Sequence, residues 1–456
     1  MNRINIQRIL RVGGVLLLTW LAAGCEHHSA DLEKPPVAPV DTLQRIQEIM
    51  AEPATCGTCH PNHYQEWRTS MHAYAIHDPM FQTLNRIAQQ NAEHENDQFC
   101  TKCHTPIGKL LGETAPGFEV SNLSPLAQSS IFCDVCHTRD TNHSPAGRGV
   151  RVFHLDGVRR GPIEDPQPND FHASEFDPAY KFSGFCNPCH NVQSPDGSLF
   201  LEETGMEWSR SPFGAMGIEC QNCHMPTYSG QAAVGGPQRE SLHRHYFTGV
   251  DYPLIDFPGR QETIRRVRDL LENAVEMRVE VDDPVPAGQP FTVRVTISND
   301  FTGHDIPTGT IFERQMWIEL IVRDVATGTE LFATGTLDAN GDLRNYHSEL
   351  VANGTVPEDT HLVLFHGIPR KANGEETLFF WEAASVERLT IPAFASHTAE
   401  YTLTAPSQPT DLEISVRLRF RSFPPYLLRA VGQDALIPEL IIFDMETDQR
   451  TIAVTN

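Results

Sequence analysis

The stretch Cys56-Gly57-Thr58-Cys59-His60 settles the class of this chain, because its spacing returns four times. The repeats are Cys100-Thr101-Lys102-Cys103-His104, Cys133-Asp134-Val135-Cys136-His137, Cys186-Asn187-Pro188-Cys189-His190 and Cys220-Gln221-Asn222-Cys223-His224. Cys-x-x-Cys-His is the attachment signature of a c-type haem. Two thiols saturate the two vinyl groups of one porphyrin, and the adjacent imidazole ligates the iron from the proximal side. Single Cys-x-x-Cys pairs also serve zinc ribbons and redox sites. Here ten of the 11 cysteines fall in the five motifs. Five covalently attached haems c are therefore expected, with His60, His104, His137, His190 and His224 as proximal ligands.

The eleventh cysteine, Cys25, closes an N-terminal segment with a basic start (Arg3, Arg8, Arg11) and an apolar run from Val15 to Trp20. Such a segment reads as a secretion signal, too short to span a membrane. Leu21-Ala22-Ala23-Gly24-Cys25 resembles the lipobox of bacterial lipoproteins. That resemblance implies cleavage after residue 24 and lipidation of Cys25, with residues 25–52 as a linker to the membrane. The chain is expected in the bacterial cell envelope, on the periplasmic face or at the cell surface. The formal charge of −24 speaks against nucleic-acid binding and favours basic partners or solubility alone.

The texture changes along the chain. Residues 53–255 hold every motif and 14 of the 21 histidines, with few alternating runs. This region is expected to be loop-rich and helical, its porphyrins supplying much of the apolar interior. Residues 256–275, with Arg260 to Asn273 of helical composition, are expected to form a connecting helix. From residue 276 the pattern turns to period two, as in Phe291 to Ile297 and Leu412 to Phe420. Alternation of that kind marks strands with one face buried. Further strand-like runs occur at Met316–Val325, Glu330–Thr336, His361–Phe365, Leu378–Trp381 and Leu440–Phe443. The expected fold class is α+β: a mainly helical multihaem domain followed by an antiparallel, immunoglobulin-like β-sandwich over 276–456.

The sixth ligand of each iron separates a carrier from an enzyme, because bis-histidine ligation closes the iron whereas an empty position admits substrates. The distal supply is His63, His72, His77, His94, His143, His154, His172, His243, His245 and His304. The segments Trp67-Arg68-Thr69-Ser70-Met71-His72, Gly161-Pro162 leading to Phe171-His172-Ala173-Ser174, Glu207-Trp208-Ser209-Arg210-Ser211-Pro212 and His245-Tyr246-Phe247-Thr248-Gly249 occur in that order. In order and in motif, residues 53–250 resemble multihaem cytochromes of the cytochrome c-554 family. The resemblance implies His72, His172 and His245 as distal ligands. His143 lies six residues beyond His137, as a distal histidine does in that family, although Thr138-Arg139-Asp140 replaces a glycine-rich turn. His243 competes with its neighbour His245, while His63, His77 and His94 read as surface histidines. In the β region, the loop from Asn299 to Gly309 is dense in turn residues and is similar to a loop of sandwich domains attached to such cytochromes. His304 on that loop is expected to reach across to a haem as a distal ligand.

Two functional classes follow. The first is an electron-transfer protein passing single electrons between redox partner proteins or to an extracellular acceptor. The second is a multihaem oxidoreductase in which one open iron acts on a small nitrogen or sulfur compound. No motif departs from Cys-x-x-Cys-His and distal candidates outnumber the haems, which favours the carrier. An oligomer or filament is compatible with either.

Overall fold

A computed structural model describes residues 40–91, 98–144 and 146–456 of the chain. The secretion signal, Cys25, most of the expected linker and His94 lie outside the described residues. Residues 38–456 pack as one compact unit. Among the described residues no helix is long and apolar enough to cross a membrane. The last part of the expected linker is not a tether: Val40–Ile49 is a helix, and its Ile46 joins Met50 against Ile107, Leu126, Phe132 and Val135. A single apolar face was enough to dock it.

The first half is built from short helices, many of them started by proline, such as Pro53–Gly57, Pro61–Trp67, Pro106–Leu110 and Pro212–Met216. Proline at the first helical position has its φ already set and no N–H to leave unpaired. The last four motifs run through the short helices Thr101–His104, Cys133–His137, Asn187–His190 and Cys220–His224, and Cys56 stands in Pro53–Gly57. A helical turn places residues i, i+3 and i+4 on one side, which brings two thiols and an imidazole together. Two small ladders complete this half. Strands β1 (Val158–Gly161) and β2 (Ala173–Phe176) pair in parallel, and β3 (Thr227–Gln231) and β4 (Gln238–His243) pair antiparallel.

Helix Arg260–Leu271 leads into the β region, burying Ile264, Val267 and Leu271. There β5 (Glu276–Glu280), β7 (Pro290–Ser298) and β12 (Ser396–Thr404) form a three-stranded sheet in the order β12-β7-β5. The second sheet is made of β6 (Val285–Pro286), β8 (Gln315–Asp324), β9 (Glu330–Thr334), β10 (Leu364–Arg370), β11 (Ser385–Leu389), β13 (Thr410–Arg421) and β14 (Phe443–Thr455). Its order is β11-β10-β8-β13-β14-β6, with β9 also on β8. All pairs are antiparallel except β6 with β14. Val293, Val295 and Ile297 of β7 share one core with Leu412, Ile414, Val416 and Leu418 of β13. The two sheets therefore bury a common apolar interior, as the alternation in both strands requires.

Three runs depart from their sequence pattern, and of His361–Phe365 only Leu364 and Phe365 belong to a strand, β10. Leu378–Trp381 forms no strand but leads into a 3-10 turn, where Phe379 stacks on Trp381 and Phe380 meets Phe312 at 5.2 Å. An apolar run without alternation here serves ring packing rather than a ladder. Conversely, of Leu440–Phe443 only Phe443 is strand: β14 begins there and runs to Thr455, its polar middle, Thr447 to Arg450, masking a strand held by its register on β13.

Candidate haem sites

All five Cys-x-x-Cys-His motifs open onto one cavity of about 2280 Å³. An ordinary single-ligand pocket holds about 300–1,000 Å³, so this space suits several large cofactors. His72, His172, His245 and His304 line it as well.

Four proximal histidines each face another imidazole across it. Measured between ring centroids, His60 has two such neighbours, His172 at 6.3 Å with planes at 26° and His63 at 6.3 Å with planes at 29°. His72 and His190 are also 6.3 Å apart, at 44°. His137 and His245 are separated by 6.5 Å at 23°, and His224 and His304 by 6.4 Å at 17°. Two direct ring contacts would be closer. The spacing equals two half-rings plus two metal–nitrogen bonds of about 2 Å each, so a metal held by both rings would fit. The sequence singles out His72, His172, His245 and His304 but not which motif histidine each faces, since each facing pair joins separate segments of the chain.

The hydrogen bonds prepare the same atoms. Nδ1 of His60 donates to Ala232 O (2.7 Å), that of His104 to Ala75 O (3.1 Å), that of His137 to Arg160 O (2.7 Å) and that of His224 to Thr248 O (2.6 Å). On the distal side His172, His245 and His304 donate to Ala173 O, His243 O and Asp305 O. A carbonyl only accepts, so Nδ1 carries the proton and Nε2 presents its lone pair to the cavity. Burial pushes His72 down to about 3 and both His104 and His304 to about 4, and it lowers His137, His190 and His245 as well. The imidazoles are thereby held neutral, the form that binds metal.

The other histidines are differently engaged. His143 is not brought to a proximal histidine: its Nδ1 sits 2.8 Å from Asp140 and its side chain is 70 % exposed. Asp140, standing where a glycine-rich turn was the pattern, captures it. His77 donates through Nε2 to Gln128 O, and His243 bonds Met225 O. His63, besides facing His60, meets the Tyr228 hydroxyl and lies 4.5 Å from His245 with the rings tilted at 49°. His154 approaches Asp140 at 4.0 Å.

His104 stands apart. Its ring face stacks on Phe81 at 4.1 Å and 13°. Among the described residues no histidine ring faces it. Thiol contacts give the order of the motifs in space: Cys56 reaches Cys133, Cys103 reaches Cys189 and Cys186 reaches Cys220. The first motif thus adjoins the third, the second adjoins the fourth, and the fourth adjoins the fifth.

The residues fit haem in one further respect. Arg139 and Arg314 line the cavity, each with a buried Nε that has no hydrogen-bond partner in the protein. Buried donors of this kind require an acceptor, and haem propionates are anionic acceptors. When bound, haem supplies one-electron redox chemistry.

Residues 55–138 match the family described as cytochrome c554 and c-prime. A penta-haem cytochrome c552 from Thermochromatium tepidum has the same fold, with a TM-score of 0.64 at 18 % identity over 88 % of this chain and 99 % of that one. The C-terminal domain of Wzt aligns with 40 % of this chain and 74 % of its own at a TM-score of 0.20 and 9 % identity, a level on which no argument rests. No curated protein matches the sequence. The chain therefore resembles the cytochrome c554 family in its first three motifs and shares a multihaem cytochrome fold over most of its length. Haem c is the cofactor such motifs hold.

Proposed function

We propose that this chain is an exported pentahaem electron-transfer protein, anchored to the cell envelope by a lipid on Cys25, in which most irons are closed by two histidines. The observation that carries this reading is the set of four facing imidazole pairs. His60 with His172, His190 with His72, His137 with His245 and His224 with His304 would hold four of the irons between them. Closed irons exchange electrons without binding substrate, and the adjacency of the motifs supports passage of single electrons from one site to the next. The acidic surface favours a basic redox partner. The test is the electron paramagnetic resonance spectrum of the oxidised protein together with its haem content. Five haems with four bis-histidine low-spin signals are expected; fewer than three low-spin signals refute the reading. Palmitate incorporation that is lost in Cys25→Ala tests the anchor.

A second reading concerns the His104 site alone. The carboxyls of Asp78, Glu202 and Glu313 line the same cavity as His104, and an iron left with a free position there would have acid–base groups in the shared space. Burial raises these carboxyls, Asp78 and Glu313 to about 7 and Glu202 to about 8. Groups that titrate near neutrality exchange protons readily. One high-spin signal that shifts on adding cyanide or hydroxylamine supports an oxidoreductase role; a fifth low-spin signal refutes it.

A further inference from the structure

Two segments of the first half repeat a device. Glu66-Trp67-Arg68-Thr69-Ser70 and Glu207-Trp208-Ser209-Arg210-Ser211 share the pattern Glu-Trp-x-x-Ser, and each spans the end of a short helix, Pro61–Trp67 or Thr204–Arg210. In both, the serine side chain accepts a backbone N–H at the start of the next helix: Ala73 N on Ser70, Phe213 N on Ser211. The tryptophans do more specific work. Trp67 Nε1 donates to Ile131 O at 2.7 Å, and Trp208 Nε1 donates to Ile218 O at 2.9 Å. Ile131 stands two residues before Cys133 and Ile218 two residues before Cys220. Each tryptophan therefore holds the entry to one haem motif, the third or the fifth.

The glutamate beside each tryptophan holds the opposite side of the same motif. Glu66 is 2 % exposed; it accepts the backbone N–H of His245 at 2.8 Å and pairs with Arg244 at 2.6 Å. His245 is the imidazole that faces His137 of the third motif. Glu207 is 7 % exposed; it accepts the backbone N–H of Asp305 at 3.3 Å and the hydroxyl of Thr308, with Arg388 at 3.6 Å. Asp305 follows His304, whose imidazole faces His224 of the fifth motif. Successive side chains on a helix diverge by about 100°, so a Glu-Trp pair on one turn can grip two separate segments. Both carboxyls are buried acceptors: Glu66 takes short bonds from Arg244 and the His245 N–H, and Glu207 takes a bond from the Thr308 hydroxyl and a longer one from the Asp305 N–H.

We propose that Glu66 and Glu207 are positioning residues of a repeated clamp, in which the tryptophan fixes the proximal motif and the glutamate fixes the backbone that carries the distal histidine of that same haem. The clamp sets the separation of two imidazoles from one rigid helix turn. In the second copy it reaches into the β region, so that region is registered on the haem half through Glu207. The proposal rests on the distal ligands assigned above.

The test compares the purified, haem-loaded full chain with its Glu66→Ala, Glu66→Gln, Glu207→Ala and Glu207→Gln variants, alongside His245→Ala and His304→Ala. The readouts are the low-spin and high-spin resonances and the midpoint potentials. Loss of such an orienting partner weakens a ligand by about 10–100-fold. Glu207→Ala is expected to convert the same resonance that His304→Ala converts, and Glu66→Ala the one that His245→Ala converts. The Gln variants keep an acceptor oxygen and should convert less. If an alanine variant yields no haem-loaded protein, Thr308→Val, which removes one donor to Glu207, is expected to shift the His304 resonance alone. Glutamate variants that leave every resonance and potential unchanged while the histidine variants alter theirs overturn the clamp and leave the ligand assignment standing. Histidine variants that change nothing overturn both.

Discussion

The imidazole of His304, carried on a loop of the β region, lies 6.4 Å from that of His224 in the fifth motif, with the two planes 17° apart. The loop is held from both halves. Asn299 Nδ2 and the Thr302 hydroxyl donate to His304 O at 2.8 and 2.6 Å, while Thr308 meets Thr204 of the first half at 2.9 Å. A ligand so placed makes haem binding and the packing of the two halves one event.

Replacing His304 with alanine should therefore act on both. One low-spin resonance is expected to become high-spin, and the haem-loaded protein should lose about 1–3 kcal/mol of stability, the range for truncating a buried, bonded side chain. Guanidinium titration followed at the Soret band and by tryptophan fluorescence checks the second point. Coincident curves with an unchanged midpoint would contradict it.

The Cys100/Cys103 motif is separable from the rest. Cys100→Ser with Cys103→Ser removes both thioether donors, so intact mass should fall by one haem while the remaining four stay attached. A loss of two or more would mean that the adjacent fourth motif, which Cys103 touches through Cys189, depends on the second for its own loading.

Inside the large sheet, Glu319 of β8 binds Arg417 and Arg419 of β13, the latter at 2.7 Å, and both arginines also reach Asp444 of β14. Glu319 is 5 % exposed. Glu319→Ala removes one of the two carboxylates these arginines share and leaves them Asp444, so the variant should lose about 1.5–3 kcal/mol, the worth of hydrogen bonds to a charged group. Equilibrium unfolding of the variant measures it; a change under about 1 kcal/mol, the worth of an exposed pair, would show that water reaches the site.

His366 on β10 is 5 % exposed and is not among the candidate ligands. Burial is the largest cause lowering it from 6.5 to about 4, with His347 adding to the effect. The unfolded chain binds this proton more readily than the folded one between those values. Stability is thus complete above pH 6.5 and falls as pH drops towards 4, by at most about 3 kcal/mol. His366→Gln should flatten that stretch of the stability-against-pH curve; an unaltered slope assigns it to other groups.

Much of the site was legible in the residues because haem attachment is a local code. Thiols at i and i+3 and an imidazole at i+4 meet on any helical turn, so five motifs read as five sites without a fold. His72, His172, His245 and His304 were legible for a different reason, the order of short segments around them. The same reasoning took His143 as a candidate, and there a single local contact, Asp140 at 2.8 Å, holds the imidazole elsewhere. In the β region, alternation exposed β7 and β13, where one face is buried along the whole strand. It hid β14, whose polar middle is ordered by its neighbour rather than by its own pattern.

By itself, then, the sequence determined the haem c chemistry and the division into a helical and a sheet-rich half, and it pointed to His60, His104, His137, His190 and His224 as the histidines next to the thiols, since each follows from spacing within a few residues. Only the tertiary structure decided which distal imidazole faces which proximal one, that Phe81 rather than a histidine packs on His104, and that Glu66 and Glu207 each hold a distant segment. Those relations join residues from separate parts of the chain. They arise from how the segments close around a shared cavity, which no local periodicity records.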